Sequence, residues 1–474
     1  MSASERMIML RNLRYETESL WELDREHIIH PWIELGTAKT RRPLVVAESE
    51  GVYVYDSDGQ KMIDGMGGMW CVNIGYAREE MVQAIADQAR RLCYYSPFGL
   101  ISTPPSIEFG AKLAEHTPGD LKHVFFTTGG STAVDSALRF VQYFFNFTGK
   151  PQKKHIITRE YAYHGSTYLS ASVSGKPSDR GYLDFEKDTI HHLPVPNTYR
   201  RPEGMSEEQF CDQCVGDLEK KILVLGPDKV ACFIAEPLLA SGGVIVPPKG
   251  YQKRTYDICR KYDVLYISDE VVTGFGRLGH IFASERVFGI VPDIITSAKG
   301  LTSGYVPLGA FFVSDRLYEQ LTGPESKGKM FTNGFTYSAH PVACAAGIKN
   351  LEIIERENLC GHVRELGPYF QEQMGTLLDL PMVGDVRGSH LMVCVECVVD
   401  KKAKTAPPAE WEVGMRIWRH AMPEGLLIRP LSHLVILSPP LIINKIQVDQ
   451  AVAALRKAIQ ATTDDLVREG LWKP

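Results

Sequence analysis

A chain of 474 residues, 44% hydrophobic and 23% charged, has the balance of an ordinary water-soluble protein and the length for two or three structural units. Its formal net charge of −5 carries no basic signature, so nucleic acid is not an expected partner. No apolar stretch approaches the length of a membrane span, and a cytoplasmic protein with no membrane partner is expected.

The opening segment, MSASERMIMLRNLRYETESLWELDREHIIHPW, scatters charges and lacks the apolar core of a signal peptide. HVFFTTGG, from His123, reads as a strand running into a turn. The helix expected after it carries Val134, Ala137, Leu138, Val141, Phe144 and Phe145 on one face. Gly129 and Gly130 let backbone approach a ligand closely, and Ser131 reads as the N-cap. A helix N-terminus with free amides favours a phosphate, although a plain strand-to-helix turn carries the same letters. KHIITREYAYHG is a second strand, and His191 and His192 read as loop or strand-end residues. PVPNTYRRPEGMSEEQF reads as an exposed connection, as does DKKAKTAPPAEWE later on. VACFIAEPLL is a strand ending at Glu236. GYQKRTYDICRKYD is a helix leading into VLYISDEVV, which ends on Asp269 and Glu270, and PDIITSAKGL ends on Lys299. Near the C-terminus, Val448, Ala451, Val452, Leu455 and Ile459 form one apolar helix face, with Asn444 and Gln447 placed to cap it.

Short, wholly apolar strands separated by helices predict a parallel sheet covered on both faces. Ligands bind such sheets beyond the carboxyl ends of the strands. Glu236, Asp269, Glu270, Lys299 and the glycine turn all fall at those ends. A competing fingerprint, GFGRLG at Gly274–Gly279, follows a strand but lacks a good crossover helix and the distal acid of a dinucleotide site. Cys211/Cys214 and Cys394/Cys397 are CxxC pairs. The second pair lies on an apparent buried strand, where residues three apart point to opposite faces, so no metal is expected.

A strand-end lysine, a strand-end acid, a phosphate turn and an aromatic are what pyridoxal phosphate requires. Lysine condenses with its aldehyde, and a carboxylate keeps its ring nitrogen protonated. YISDEVVTGFGRLG, with SAKGLTSGYVPLGA about 30 residues beyond Asp269, resembles the class III aminotransferases of pyridoxal-phosphate fold type I. GMWCVNIGYAR, YAYHGST, AEPLLASGGVIVPP, NGFTYSAHPVACAAG and GLLIRPLSHLVILSPPLII resemble the same family, in order and over most of the chain. Together they are similar to the omega-amino acid and amine:pyruvate aminotransferases.

The resemblance implies an α/β fold: a large cofactor-binding domain over 71–345, with a mostly parallel sheet, and a smaller α+β domain built from 1–70 and 346–474. It implies that Lys299 holds the cofactor and moves the proton, and that Asp269 pairs with the ring nitrogen. Tyr163 and Val271 would flank the ring, and Gly130 and Ser131 would bind the phosphate. Thr336 would reach the phosphate of a neighbouring subunit, which implies a homodimer with shared sites, or a tetramer of such pairs. Arg429 would bind the acceptor's carboxylate, a task suited to guanidinium geometry. Trp32, Trp70, Phe98 and Ser241 match pocket positions. One departure stands out: GGSTAVD replaces the commoner SGSEAND, so Thr132 stands where a glutamate is usual and Asp135 is kept. The implied reaction moves an amino group from a terminal amine or omega-amino acid to pyruvate or another 2-oxo acid. A decarboxylase or racemase of the same fold is the alternative. A dehydrogenase would need the glycine fingerprint, and a zinc-stabilised binding protein would need the two cysteine pairs to meet.

Overall fold

Apolar runs of four to six residues with no polar face must be covered on both sides, and this requirement shapes the centre of the molecule. The computed structural model describes residues 15–473. The first part of the opening segment, residues 1–14, lies outside the described residues, as does the portion of the 1–70 unit that it forms. After a helix at Thr17–His27, three strands, β1 (Val46–Glu50), β2 (Tyr53–Asp56) and β3 (Lys61–Asp64), form an antiparallel meander.

The central sheet holds β4 (His123–Thr127), β5 (His155–Arg159), β6 (Ile190–Leu193), β7 (Val230–Ala235), β8 (Leu265–Asp269), β9 (Ile294–Ser297) and β10 (Gly309–Val313). Their order is β4-β10-β9-β8-β7-β5-β6, and β10 alone runs against the others. Every residue of β7, β8, β9 and β10 is buried. Ile156, Ile234, Ile267 and Phe311 pack on one face with Val134, Leu138 and Val141 of the helix Gly130–Phe147. Ile157, Phe233 and Tyr266 pack in a second cluster, and Ile295 and Phe312 in a third. The expected helix face is thus buried against the sheet. His191 and His192, read as loop or strand-end residues, lie within β6. The strand β10 had no place in the sequence reading.

A third sheet contains β11 (Val383–Ser389) and β12 (Met392–Cys397). After β13 (Leu426–Leu427), which pairs in parallel with β3, it is completed by β14 (Arg429–Leu431) and β15 (Leu434–Leu437), in the order β11-β12-β15-β14. The bond between β3 and β13 joins the two ends of the chain. The helix Lys445–Arg468 closes this part. Asn444 Oδ1 accepts the Gln447 N–H at 3.0 Å, and Gln447 Oε1 accepts the Asn444 N–H at 3.0 Å. A cap of this kind contributes about 1 kcal/mol. Val448, Ala451, Val452, Leu455 and Ile459 are all buried beneath it. No helix among the described residues is long and apolar enough to cross a membrane.

The cysteine pairs stay apart. Cys211 and Cys214 pack beside Phe210, Val215 and Tyr251, whereas Cys394 and Cys397 enter different apolar clusters. Burial pushes the Cys214, Cys394 and Cys397 thiols up to about 12, away from the thiolate that a metal requires. Exhaustive chelation should therefore leave the melting temperature unchanged in a calorimetric scan. A clear fall, restored by zinc, would show a structural metal. The GFGRLG stretch folds back on itself: Phe275 N–H donates to the Ile281 carbonyl at 2.6 Å and Gly276 N–H to that of His280 at 3.0 Å. It is a packed turn rather than the entry to a crossover helix.

Candidate active site

The parallel strands β4, β5, β7, β8 and β9 end on the same rim of the sheet. β8, between β7 and β9, delivers Asp269, which is 3% exposed. Its Oδ2 is hydrogen-bonded to His164 Nδ1 at 2.6 Å, and its Oδ1 accepts the Val271 N–H at 3.1 Å. His164 comes from the turn after β5, where its backbone N–H donates to Ser174 Oγ at 2.8 Å.

β9 delivers Lys299. Its φ of 44° lies in the left-handed region, a conformation that costs a non-glycine residue roughly 1–2 kcal/mol. The surroundings hold it there. Leu301 N–H reaches back to the Ala298 carbonyl at 2.8 Å, and Asn350 Nδ2 donates to the Gly300 carbonyl at 2.8 Å. A Cβ on Gly300 would lie 2.4 Å from Asn73 Nδ2, so the lysine must be followed by glycine. Among the described residues no hydrogen bond or ion pair engages the Lys299 amine. Burial lowers its pKa from the usual lysine value, and the charge of Asp269 opposes that shift.

β7 delivers Glu236, whose Oε1 accepts the Tyr163 N–H at 3.1 Å and whose Oε2 accepts the Ala240 N–H at 3.0 Å. Burial raises its pKa. Glu270 was expected to face the same ligand and does not. It accepts from Ala283 N–H at 2.7 Å, Ser284 N–H at 2.9 Å, Ser284 Oγ at 2.5 Å and Thr273 Oγ1 at 3.2 Å. Its carboxylate instead caps the helix Ala283–Phe288, where the free amides of a helix start attract negative charge.

At the end of β4 the helix begins at Gly130, with extended Gly129 as the cap. Ser131 is therefore not the N-cap but the second helical residue. Its hydroxyl accepts the Ser166 N–H at 3.0 Å instead. Ser166 Oγ in turn meets the Tyr163 hydroxyl at 2.9 Å. Thr132, which stands where a glutamate is usual, closes the turn without charge: its hydroxyl donates to the Gly129 carbonyl at 2.9 Å and accepts the Thr128 N–H at 3.2 Å. Asp135 accepts the Ser170 N–H at 2.7 Å. A Cβ on Gly130 would lie 3.0 Å from Val271 Cγ1 and 3.7 Å from the Cβ of Ala298, the residue before Lys299.

These contacts close a circuit: Asp269 to His164, through Tyr163 to Ser166 and Ser131, to Gly130, to Val271 and back to Asp269. The circuit contains a buried acid and an open helix start, and the Lys299 amine, bonded to none of the described residues, follows the Ala298 that lies beside Gly130. That donor set fits a phosphorylated aldehyde with a basic ring, and it fits neither a metal nor a dinucleotide. His164 escaped the sequence reading, although YHG places it beside Tyr163.

The residues expected to line a substrate pocket fall partly beside the circuit. Trp32, exposed and itself left-handed, meets the Tyr163 ring edge-on at 5.8 Å. Trp70 is buried, and among the described residues its indole N–H has no partner. The Arg429 guanidinium lies 4.6 Å from the Trp70 ring centre, with Nη1 against Met69 Sδ. Among the described residues no carboxylate pairs with it. Ser241 is buried in the turn after Glu236. Phe98 and Thr336 are not brought into the circuit. A Cβ on Gly334 would lie 3.4 Å from the exposed Phe98 ring, and the Thr336 carbonyl accepts from Tyr94 Oη at 2.7 Å. Exposed Tyr95, Leu100, Ile101, Met330 and Tyr337 share these two stretches of chain. A separate groove of about 450 Å³, lined by Tyr53, Lys61, Glu424 and Lys457 among others, contains none of the circuit's groups.

Residues 36–459 match the family model of the class-III aminotransferases. The chain is 40% identical over 444 residues to the putrescine–pyruvate aminotransferase of Pseudomonas aeruginosa, covering 93% of this chain and 96% of that protein. It is 39% identical over 424 residues to the mitochondrial gamma-aminobutyrate transaminase 1 of Oryza sativa subsp. japonica, covering 89% and 82%. The crystal structure of the omega-transaminase from Pseudomonas jessenii in complex with PMP superimposes with a TM-score of 0.92 at 37% identity, covering 94% of this chain and 99% of that one.

Proposed function

Because the chain belongs to the class III aminotransferases, pyridoxal-phosphate-dependent enzymes of fold type I, we propose that it moves an amino group from the terminal carbon of an amine or omega-amino acid to a 2-oxo acid such as pyruvate. The observation that carries this reading is the unpaired Lys299 amine beside the Asp269–His164 pair.

Pyridoxal phosphate, when bound, supplies an electrophilic carbon for the substrate nitrogen and a ring that accepts electrons from the broken C–H bond. Lys299 would hold the aldehyde carbon and, once displaced, carry a proton from the substrate carbon on Nζ. Its lowered pKa suits that task, because a larger share of the amine is neutral near pH 7. Asp269 would keep the ring nitrogen protonated, with His164 and the Val271 N–H fixing its carboxylate. The Gly130 and Ser131 amides would take the phosphate, and Tyr163 and Val271 would flank the ring. Trp32, Trp70, Ser241 and Arg429 would line the substrate end. Phe98 and Thr336 would complete the site of a second subunit in a homodimer, a reading supported by the exposed apolar side chains around them.

A panel of amine donors with pyruvate and other 2-oxo acids, followed by product amino acid formation, tests the proposal. Transfer from at least one terminal amine is expected, and its absence across the panel overturns the reading. Arg429 sharpens it. The guanidinium rests on an aromatic face and, among the described residues, is tied to no acid, so it is free to meet a carboxylate in one half-reaction and to turn aside in the other. Arg429→Ala should weaken the pyruvate half-reaction by about 2 kcal/mol or more, roughly 30-fold, as for a desolvated charge pair. The half-reaction with an uncharged amine should change little. Stopped-flow measurement of each half-reaction decides, and equal losses would make Arg429 a structural residue.

A further inference from the structure

The GFGRLG turn, Gly274–Gly279, stands outside the circuit, yet its Arg277 is wholly buried. A buried guanidinium ordinarily pairs with an acid. Among the described residues no carboxylate pairs with this one. Its Nη1 donates to the Pro439 carbonyl at 2.5 Å and to the Leu391 carbonyl at 3.3 Å, and its Nη2 donates to Asn73 Oδ1 at 2.9 Å. These acceptors lie on three separate segments: Asn73 before the central sheet, Leu391 between β11 and β12, and Pro439 after β15. A guanidinium can span them because its donors diverge in one plane, whereas those of an ammonium leave a single nitrogen. Burial lowers the pKa of Arg277 to about 10, so it keeps its charge near pH 7. Burying a charge without an acid is unfavourable, and directed hydrogen bonds are what offset it.

The fork fixes Asn73, whose Nδ2 donates to the Phe275 carbonyl at 2.8 Å. Both ends of that amide are thus tied to the same turn, and its orientation is set. The backbone is held as well, since the Asn73 carbonyl accepts the Leu441 N–H at 2.9 Å. The amide lies against Gly300, the residue after left-handed Lys299: a Cβ on Gly300 would lie 2.4 Å from Asn73 Nδ2 and 2.8 Å from Phe275 Cβ. A second amide holds the same loop. Asn350 Nδ2 donates to the Gly300 and Leu301 carbonyls at 2.8 and 3.2 Å, and Ser303 Oγ donates to Asn350 Oδ1 at 2.5 Å. Asn350 sits on the helix Pro341–Arg356, whereas Asn73 takes its orientation from Arg277. On the proposed reading the Lys299 amine leaves the cofactor and returns to it in every cycle. A loop pinned at Gly300 brings it back to one place, and a reacting group misplaced by about 1 Å costs on the order of 100-fold in rate.

We infer that Arg277 is a positioning residue for Lys299, acting through Asn73 on Gly300. This rests on the transaminase reading above. The test uses the full chain as wild type, Arg277→Met, Arg277→Lys, Asn73→Ala and the double variant Arg277→Met/Asn73→Ala, each with its melting temperature. Two quantities are read well below melting: the rate at which the visible band appears when apoenzyme is mixed with pyridoxal phosphate, and kcat against KM for donor and acceptor. Arg277→Met should slow loading and lower kcat by about tenfold or more, the scale of a misplaced reacting group, with KM for both substrates near wild type. Asn73→Ala should act in the same direction. The double variant should be no slower than the worse single one, because both act through one contact. Arg277→Lys keeps the charge without the fork and should resemble Arg277→Met. If Arg277→Met does not fold, Asn73→Ala carries the comparison. A lowered melting temperature with loading and kcat unchanged, losses that multiply in the double variant, or full rescue by lysine overturns the inference and leaves the transaminase reading standing. Absence of transfer from any amine in the wild type overturns both.

Discussion

Lys299→Ala is expected to lower turnover by about 10⁴-fold or more, the upper end of what a positioned proton carrier contributes. At 1.36 kcal/mol per factor of ten this is about 5 kcal/mol of lost barrier reduction. The size follows from two tasks on one atom, since on the proposed reading Nζ would both hold the cofactor and carry the proton. The backbone is not the cause, because alanine bears nearly the same left-handed penalty at this position as lysine does. Melting temperature should stay close to that of the wild type while activity is lost. Borohydride reduction of the loaded enzyme followed by peptide mapping should place the label on Lys299. A label on another lysine, or retention of substantial turnover in the variant, would displace the assignment.

Asp269→Asn should cost about 10²–10³-fold in kcat, the scale of a lost preorganised electrostatic contact. The substitution keeps the shape and leaves an oxygen or amide to meet His164 Nδ1, now 2.6 Å from the carboxylate. It removes only the negative charge, from a position 3% exposed where water does not replace it. Cofactor should still bind, because Lys299 and the helix start at Gly130 are untouched. The measurement pairs kcat with the stoichiometry of bound cofactor. Near-normal turnover with full loading would show that this carboxylate does not control the ring nitrogen.

Sequence periodicity carries the parts of the structure that depend on local spacing. The helix face from Val134 to Phe145, the cap at Asn444 and Gln447, and the strand ends at Glu236, Asp269 and Lys299 were all readable, because each is set by neighbours a few residues apart. The N-cap at the glycine turn lies two residues before the serine expected there, since extended Gly129 can cap as serine does. Glu270 was misplaced because alternation along a strand says which residues face opposite ways but not which way is the cavity. Long-range pairings left no local mark. His164 meets Asp269 across 105 positions, and Arg429 meets Trp70 beside the β3–β13 pairing, which brings distant parts of the chain together. The strand β10 was hidden inside a stretch whose family likeness drew attention to its lysine.

That strand has a consequence for synthesis on the ribosome. β10 lies between β4 and β9, and Gly309 fits against Gly129, whose carbonyl oxygen would be 2.3 Å from any added Cβ. The glycine turn and the lysine loop therefore share a wall that is translated last of the three. At about 5–20 residues per second, β4 waits roughly 10–40 s for its neighbour to emerge. Until then β4 and β9 expose apolar edges that invite pairing with other nascent chains. The wall between the glycine turn and the lysine loop is complete only once β10 has paired with both neighbours.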